Sequence, residues 1–206
     1  MFLKTAADKR PYHLGPYPLE TLPRDASVAE EEAARPRLAK PADAPAPEGP
    51  LGAALRTYRE IYADHAAGDE RPQAAPVPDD LERRAVDIKG YAYFMNASQV
   101  GICRIPDNAW CSGIARPQHD HAVVILVAHG RLPEADNPAR DWVAPALAEA
   151  SDMRAAEIAV CLTRHIRVMG FPAVAHIAGH GGLDMERLAV LAGLAVRKDG
   201  TLRNPF

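Results

Sequence analysis

The chain has little cysteine, and its cysteines are not spaced for metal or redox chemistry. Its 206 residues include three, Cys103, Cys111 and Cys161. An odd number without a Cys-x-x-Cys pair does not form a disulfide framework. Three thiolates also cannot supply the four ligands of an all-cysteine [4Fe–4S] cluster. We therefore expect no iron–sulfur cluster to be held by this chain alone.

The chain also lacks an excess of basic residues and any long apolar run. Lys and Arg number 24 against 27 Asp and Glu, which gives a net charge of −3 and no basic footprint for nucleic acid. No apolar stretch reaches the roughly 18 residues of a membrane span. Residues 1–7 lack the apolar centre of a secretory signal. These absences predict a cytoplasmic protein without nucleic-acid or membrane partners.

Proline is abundant but unevenly placed. Residues 1–80 contain 12 of the 19 prolines, a composition that buries too little apolar surface to offset the entropy of ordering. We expect an extended chain over 24–50, an aromatic arm over 10–19 that packs on the body, and a short helix over 51–65. The sequence thus predicts a proline-rich N-terminal arm over 1–79 and a folded domain over 80–206.

The second half of the chain alternates helical and strand patterns. Asp79 or Asp80 can cap the first helix, Ser151 or Asp152 the second, and Asp184 the third. A continuous β-branched run in the second strand predicts burial on both faces. The predicted elements are a helix over 80–97, strands over 100–105 and 121–127, a helix over 151–169 ending at Gly170, a strand over 173–177 and a helix over 185–194. Three strands sharing one sheet beneath helices describe an α+β domain.

A glycine-rich loop precedes the last helix and is the candidate binding site. Glycine lets a backbone approach a ligand closely, and a helix start favours polar or anionic groups. Asp184 occupies the third glycine position of a dinucleotide fingerprint, so that motif is not met. The candidate cofactor-binding residues are His176, Gly179, His180, Gly181, Gly182 and, at the end of the helix, Gly193. A plain strand–helix turn is the alternative interpretation.

Two other pairs of residues could carry chemistry. His119 and His121 lie on one side of a predicted strand, a spacing that metals can use, although polar residues at a strand entrance are the favoured interpretation. Cys161 and His165 share a helix face and could form a thiolate–imidazole pair. A small cysteine beside a helix core stripe is the simpler interpretation, and no metal ligand or catalytic residue is assigned.

Three segments resemble the cobalamin-binding half of the reductive dehalogenases, relatives of epoxyqueuosine reductase. Residues 88–102 read IKGYAYFMNASQVGI, similar to a helix that leads into a G-A-x-x-V-G-I strand. Residues 155–171 read AAEIAVCLTRHIRVMGF, similar to an IA-x-x-L-x-x-x-IR-x-LGY helix. Residues 188–206 read LAVLAGLAVRKDGTLRNPF, similar to a stretch with LA-x-x-AGLG, a later glycine and a proline.

The resemblance implies a nitroreductase-like α/β sandwich that holds base-off cobalamin. It also implies two [4Fe–4S] clusters in a following domain and reductive removal of halide from an organohalide. The chain departs from the family, because the cluster cysteines are absent and the loop 128–133 lacks the family's proton-donating tyrosine. Ala195 also replaces the last glycine of AGLG, and residue 206 falls within a motif that would continue.

These departures resemble those of a degenerate, vestigial copy of the cobalamin domain that precedes a functional one. We therefore expect the chain to be the N-terminal, non-catalytic part of a dehalogenase. Its expected partner is a catalytic cobalamin and iron–sulfur half, in the same or a separate chain, that acts on a small organohalide. A stand-alone cobalamin- or flavin-binding protein is the alternative, and an unrelated thiol enzyme built on Cys161 and His165 is the third hypothesis.

Overall fold

A computed structural model describes residues 26–40, 46–116 and 119–204. The predicted arm over 10–19 lies outside these residues. The chain forms two compact units. The described residues of unit 1 are 26–40, 77–116, 119–126 and 182–204, and those of unit 2 are 46–76 and 127–181. Both units therefore combine residues from before and after position 79.

Unit 1 contains helices and short antiparallel strands. Its described elements are α1 (Ala26–Ala34), α3 (Leu81–Phe94), β1 (Gln99–Arg104), a 3₁₀ turn (Asp107–Ala109), β2 (His121–Leu126), α6 (Met185–Leu191), β3 (Val196–Lys198) and β4 (Thr201–Arg203). The predicted cap of α3 is confirmed, since the Asp80 carboxylate accepts the Glu82 N–H at 2.9 Å and so satisfies one of the free donors of the first turn. Asp184 caps α6 in the same way by accepting the Arg187 N–H at 3.0 Å.

The predicted extended segment over 24–50 is corrected in part, because α1 occupies Ala26–Ala34 within it. The prediction of β2 as a strand buried on both faces is also wrong. β2 pairs with β1 in an antiparallel, two-stranded sheet, with Gln99 opposite Leu126 and Arg104 opposite His121. Its residues are half-buried apart from the exposed His121.

Unit 2 is built on two long helices. Its described elements are α2 (Gly49–Ala63), α4 (Arg140–Val143), a 3₁₀ turn (Ala144–Ala146) and α5 (Leu147–Val168). Helix α5 begins four residues before the predicted cap. Ser151 lies inside the helix and its hydroxyl donates to the Leu147 carbonyl at 3.1 Å. The predicted end is confirmed, since Gly170 has a φ of 85°, the left-handed conformation common after a helix.

The predicted strand over 173–177 does not form. The segment has no regular secondary structure, and Ala175 and Ile177 are buried against Ala156 and Val160 of α5. Its Ala175 N–H donates to the Ala66 carbonyl at 2.9 Å, but no strand pairs with it among the described residues. The expectation that 100–105, 121–127 and 173–177 share one sheet is therefore wrong, while the α+β class stands.

Apolar side chains form a core within each unit. Unit 1 buries Ala109, Trp110, Leu183 and Leu188 in one cluster and Ala189, Val190 and Ala195 in a second. Unit 2 buries residues from α5 and from the segment 173–177 after it. None of the described helices is long and apolar enough to cross a membrane.

Candidate functional site

The predicted binding loop is divided between the two units. His176, Gly179, His180 and Gly181 belong to unit 2, whereas Gly182 and Gly193 belong to unit 1.

Gly182 is a packing residue in unit 1. Its carbonyl accepts the Cys111 N–H at 2.8 Å, and the neighbouring Leu183 forms a β-bridge with Trp110. A Cβ at Gly182 would lie 2.6 Å from Ile114 Cγ2, closer than carbon atoms pack. The space on the Cβ side of this glycine is thus filled by Ile114.

Gly193 ends helix α6. Its φ of 73° is the left-handed conformation that follows many helices, and its N–H donates to the Val190 carbonyl at 2.9 Å. The glycine of the VGI segment, Gly101, also has a packing role, because a Cβ there would lie 2.6 Å from the Ala192 carbonyl oxygen. Gly101 therefore allows the end of α6 to pack closely on β1.

The loop residues of unit 2 contact helix α2. Gly179 has a φ of 84°, and a Cβ there would lie 3.9 Å from an Arg59 nitrogen. His180 Nε2 lies 2.5 Å from the Glu60 carboxylate, and both side chains are more than two-fifths exposed. His176 and Gly181 are half-buried. The loop is therefore held to α2 by a surface pair at His180.

An ionic cluster between α2 and α5 was not predicted from the sequence. Arg59, whose side chain is 4% exposed, lies 3.2 Å from Glu149 and 3.2 Å from Asp152. Arg56 pairs with the same Glu149. Burial raises the pKa of Asp152, while the Arg59 charge acts in the opposite direction. The sequence does contain a signal for this cluster, because the two arginines are three residues apart on α2 and the two acids are three residues apart on α5.

A second buried cluster joins α1 to α6 in unit 1. The Arg187 side chain is 0% exposed and lies 3.4 Å from Asp184 and 3.7 Å from Glu32. It donates to main-chain carbonyls at Asn108 and, at 2.9 Å, at Pro36. Arg197 lies 3.0 Å from Glu32. These contacts, which no sequence pattern indicated, fix residues 26–36 on the start of α6.

The thiol hypothesis receives no support from the environment of Cys161. Burial raises the pKa of its thiol, and the negative charge of Glu157 raises the pKa further. A cysteine nucleophile needs the opposite shift, because the thiolate is the reactive form. Cys161 is therefore a half-buried thiol beside the core of α5.

The histidine pair has no set of metal ligands around it. Over residues 26–40, 46–116 and 119–204, no group of three or more His, Cys, Asp or Glu side chains is placed to hold a metal ion. His121 is exposed at the start of β2 and His119 is half-buried before it. Their position is that of polar residues at a strand entrance.

Solved structures resemble the chain over almost its whole length. A reductive dehalogenase structure, described as suggesting a mechanism for B12-dependent dehalogenation, shares 40% identity with a TM-score of 0.79 over 96% of this chain and 28% of its own. The catabolic reductive dehalogenase NpRdhA shares 38% identity with a TM-score of 0.78 over 96% and 28%. The same enzyme in complex with 3-bromo-4-hydroxybenzoic acid has a TM-score of 0.77 at 38% identity over 96% and 27%. No protein-family model and no curated protein sequence matches the chain.

The α+β architecture and these matches define the class of the chain as a relative of dehalogenating oxidoreductases. Identity of 38–40% over 96% of the chain indicates similarity in sequence as well as in fold. The chain is similar to one segment of the reductive dehalogenases. It spans about 28% of the length of the relatives that it matches.

Proposed function

We propose that the chain is a non-catalytic, structural domain from the N-terminal part of a cobalamin-dependent reductive dehalogenase. The observation that carries this proposal is the match itself: 96% of this chain corresponds to 28% of a dehalogenase chain. Removal of halide from an organohalide is then the activity of the assembly to which the chain contributes. The catalytic partner carries cobalamin and iron–sulfur clusters, in the same or a separate polypeptide.

The packing of the candidate glycines supports a structural role. The side of Gly182 on which a Cβ would lie is filled by Ile114, and Gly193 turns the chain after α6. In the other unit, His180 is paired with Glu60. Gly182, Gly193 and His180 thus have roles within the protein, and we assign no step of the reaction to this chain.

The residue content of the chain supports the same role. Three cysteines are too few for a [4Fe–4S] cluster, and the loop 128–133 offers His129 but no tyrosine as a proton donor. His129 Nδ1 lies 2.8 Å from the Ser151 hydroxyl, so its ring is used within unit 2. The nitroreductase-like fold, the proline-rich arm, the boundary at 79/80 and a cytoplasmic location remain predictions from the sequence.

The test is a dehalogenation assay with the chain alone. The purified chain is mixed with reduced cobalamin and 3-bromo-4-hydroxybenzoic acid, the compound bound to NpRdhA, and bromide is measured. We expect no release above that of reduced cobalamin without protein. Bromide release that rises in proportion to the chain would contradict a non-catalytic role and favour the alternative of a stand-alone cobalamin- or flavin-binding protein.

A further inference from the structure

Residues 26–38, which we call the strap, lie on unit 1 but contribute little to its core. Glu32 is the single buried residue of helix α1, and most other residues of the strap are exposed. The apolar cluster around Trp110 includes no side chain of the strap, and Val28 packs half-buried against the second cluster. The core of unit 1 is therefore built almost entirely by the rest of the unit, residues 77–116, 119–126 and 182–204.

The helical part of the strap is capped by a distant side chain. The Asn108 amide donates to the carbonyls of Glu32 and Ala33, both at 3.0 Å. It also donates to the Arg35 carbonyl at 3.1 Å. A helix leaves its last carbonyls without partners of its own, and Asn108 supplies them. Helix α1 has nine residues, fewer than the roughly 12–15 that an isolated helix needs in water, so its helical form depends on docking.

The irregular part of the strap is held in the same way, through its carbonyl groups. Arg187 donates to the Pro36 carbonyl at 2.9 Å, and the Ser112 N–H donates to the Leu38 carbonyl at 2.9 Å. Bonds to successive main-chain groups give a protein affinity for a peptide, and pockets for single side chains give it specificity. The contacts of the strap have the first of these two properties.

A pocket for one side chain of the strap supplies the second property. The Glu32 side chain is 4% exposed and lies 3.0 Å from Arg197 and 3.7 Å from Arg187. Both arginines have further partners outside the strap, since Arg187 lies 3.4 Å from Asp184 and Arg197 lies 3.2 Å from Glu186. These partners hold the two cations in place without the strap. The pocket is therefore preformed, and it selects a carboxylate, because a buried charge needs an opposite charge beside it.

We propose that unit 1 carries a peptide-binding site and that the strap is its ligand, attached to the same chain and able to leave as a unit. The ligand is an acidic peptide that is helical up to Ala34 and irregular beyond it, with Glu32 as its specific side chain. A separate peptide with the same sequence should bind once the strap is removed. The inference goes beyond the proposed function and does not rest on it, because it uses contacts within unit 1 alone. The groups that form the site belong to Asn108, Ser112, Arg187 and Arg197.

Hydrogen exchange in the intact chain tests whether the strap leaves as a unit. We expect the main-chain amides of α1 to exchange roughly 100-fold faster than those of α6, because few contacts have to break for the strap to open. Glu32→Gln should raise the exchange rate in α1 by roughly a further tenfold, since the charge that the two arginines bind is lost. Glu31→Gln is the matched control. Glu31 is exposed on the same helix, and its substitution should leave the exchange rate in α1 unchanged.

A chain that can be cut after folding tests the site directly. Residues 41–45 are replaced by a protease recognition sequence, and the full chain is folded, cut and mixed with an excess of a fluorescent peptide of residues 26–40. We expect the peptide to displace the cut strap and to bind saturably, as measured by fluorescence anisotropy. The same peptide with Glu32→Gln should bind roughly tenfold more weakly. The peptide with Glu31→Gln should bind within about twofold of the unchanged peptide, because exposed charges contribute little.

Three results would overturn the inference. Equal exchange rates in α1 and α6 would mean that the strap opens only when unit 1 unfolds. A cut chain that binds no peptide, or that binds the Glu32→Gln peptide as tightly as the unchanged one, would show that the site does not recognise the strap as a ligand. Unfolding of the cut chain on release of the strap, followed by circular dichroism, would make the strap part of the fold. None of these results depends on bromide release, so failure of this inference and failure of the proposed function are distinguishable.

Discussion

Replacing Arg187 by methionine should destabilise unit 1 more than any surface arginine change. The side chain is 0% exposed and lies within 4 Å of the buried carboxylates of Glu32 and Asp184. Methionine fills much of the volume but leaves these carboxylates without their shared cation. Breaking a buried ion pair from one side costs about 3–5 kcal/mol. Because each kcal/mol lowers the melting temperature by about 2–4 °C in a chain of this size, the expected loss is roughly 6–20 °C.

Urea denaturation followed by far-ultraviolet circular dichroism measures the loss in free energy of unfolding, and thermal denaturation measures the loss in melting temperature. Arg116→Met is the matched control, since Arg116 is also ion-paired but its side chain is 42% exposed and its partner, Asp107, is 83% exposed. Exposed pairs contribute about 0–1 kcal/mol, so the control should differ little from wild type. Equal effects of the two substitutions would refute the conclusion that the Arg187 cluster fixes residues 26–36 on α6.

Three further predictions concern single residues. Gly170→Ala places a Cβ 2.6 Å from the main chain of residues 73–74 at a φ of +85°, so it should lower the free energy of unfolding by more than about 2 kcal/mol. Gly200→Ala, at a φ of +75° in open space, should lower the free energy of unfolding by about 1 kcal/mol. Urea titrations of both variants measure the difference. Burial raises the pKa of Cys161, so iodoacetamide should modify it more slowly at pH 8 than it modifies free cysteine, and mass spectrometry that finds equal rates would contradict this. Burial raises the pKa of Asp152, so its acid form is favoured in the folded state. Wild type should therefore gain stability relative to Asp152→Asn as the pH falls from 7 to 3. A gain in its relative stability as the pH rises would contradict this prediction.

Local patterns in the sequence were sufficient where local interactions decide the structure. The caps at Asp80 and Asp184 bond to main-chain N–H groups two or three residues away, so their side chains alone predicted the helix starts. The turn at Gly170 follows from a conformation that glycine adopts without strain. The hairpin of β3 and β4 was missed although Asp199 and Gly200, with φ of 51° and 75°, are a typical two-residue turn.

Prediction of the secondary structure failed where contacts with residues distant in the sequence determine it. Ser151 and Asp152 have the side chains of helix caps, but they lie within α5, where their partners are His129 and Arg59. Helix α1 was read as extended chain, because its docking depends on distant side chains such as Asn108, whose amide donates to main-chain carbonyls at the end of the helix and just after it. A single sequence gives no sign of such contacts.

The candidate site shows the same limit. Glycines that pack a helix against a strand and glycines that admit a ligand look alike in sequence, and only the position of Ile114 distinguishes them at Gly182. The arginines of α2 show the same dependence on distant residues, because Arg56 and Arg59 bond to Glu149 and Asp152, about ninety residues further along the chain.

A spectral titration of the purified chain with cobalamin tests the central claim most directly. If the loop glycines of this chain serve packing and do not bind cobalamin, the visible spectrum of cobalamin should stay unchanged as the protein is added in excess. A saturable spectral change that reaches its end point near one cobalamin per chain would contradict the account.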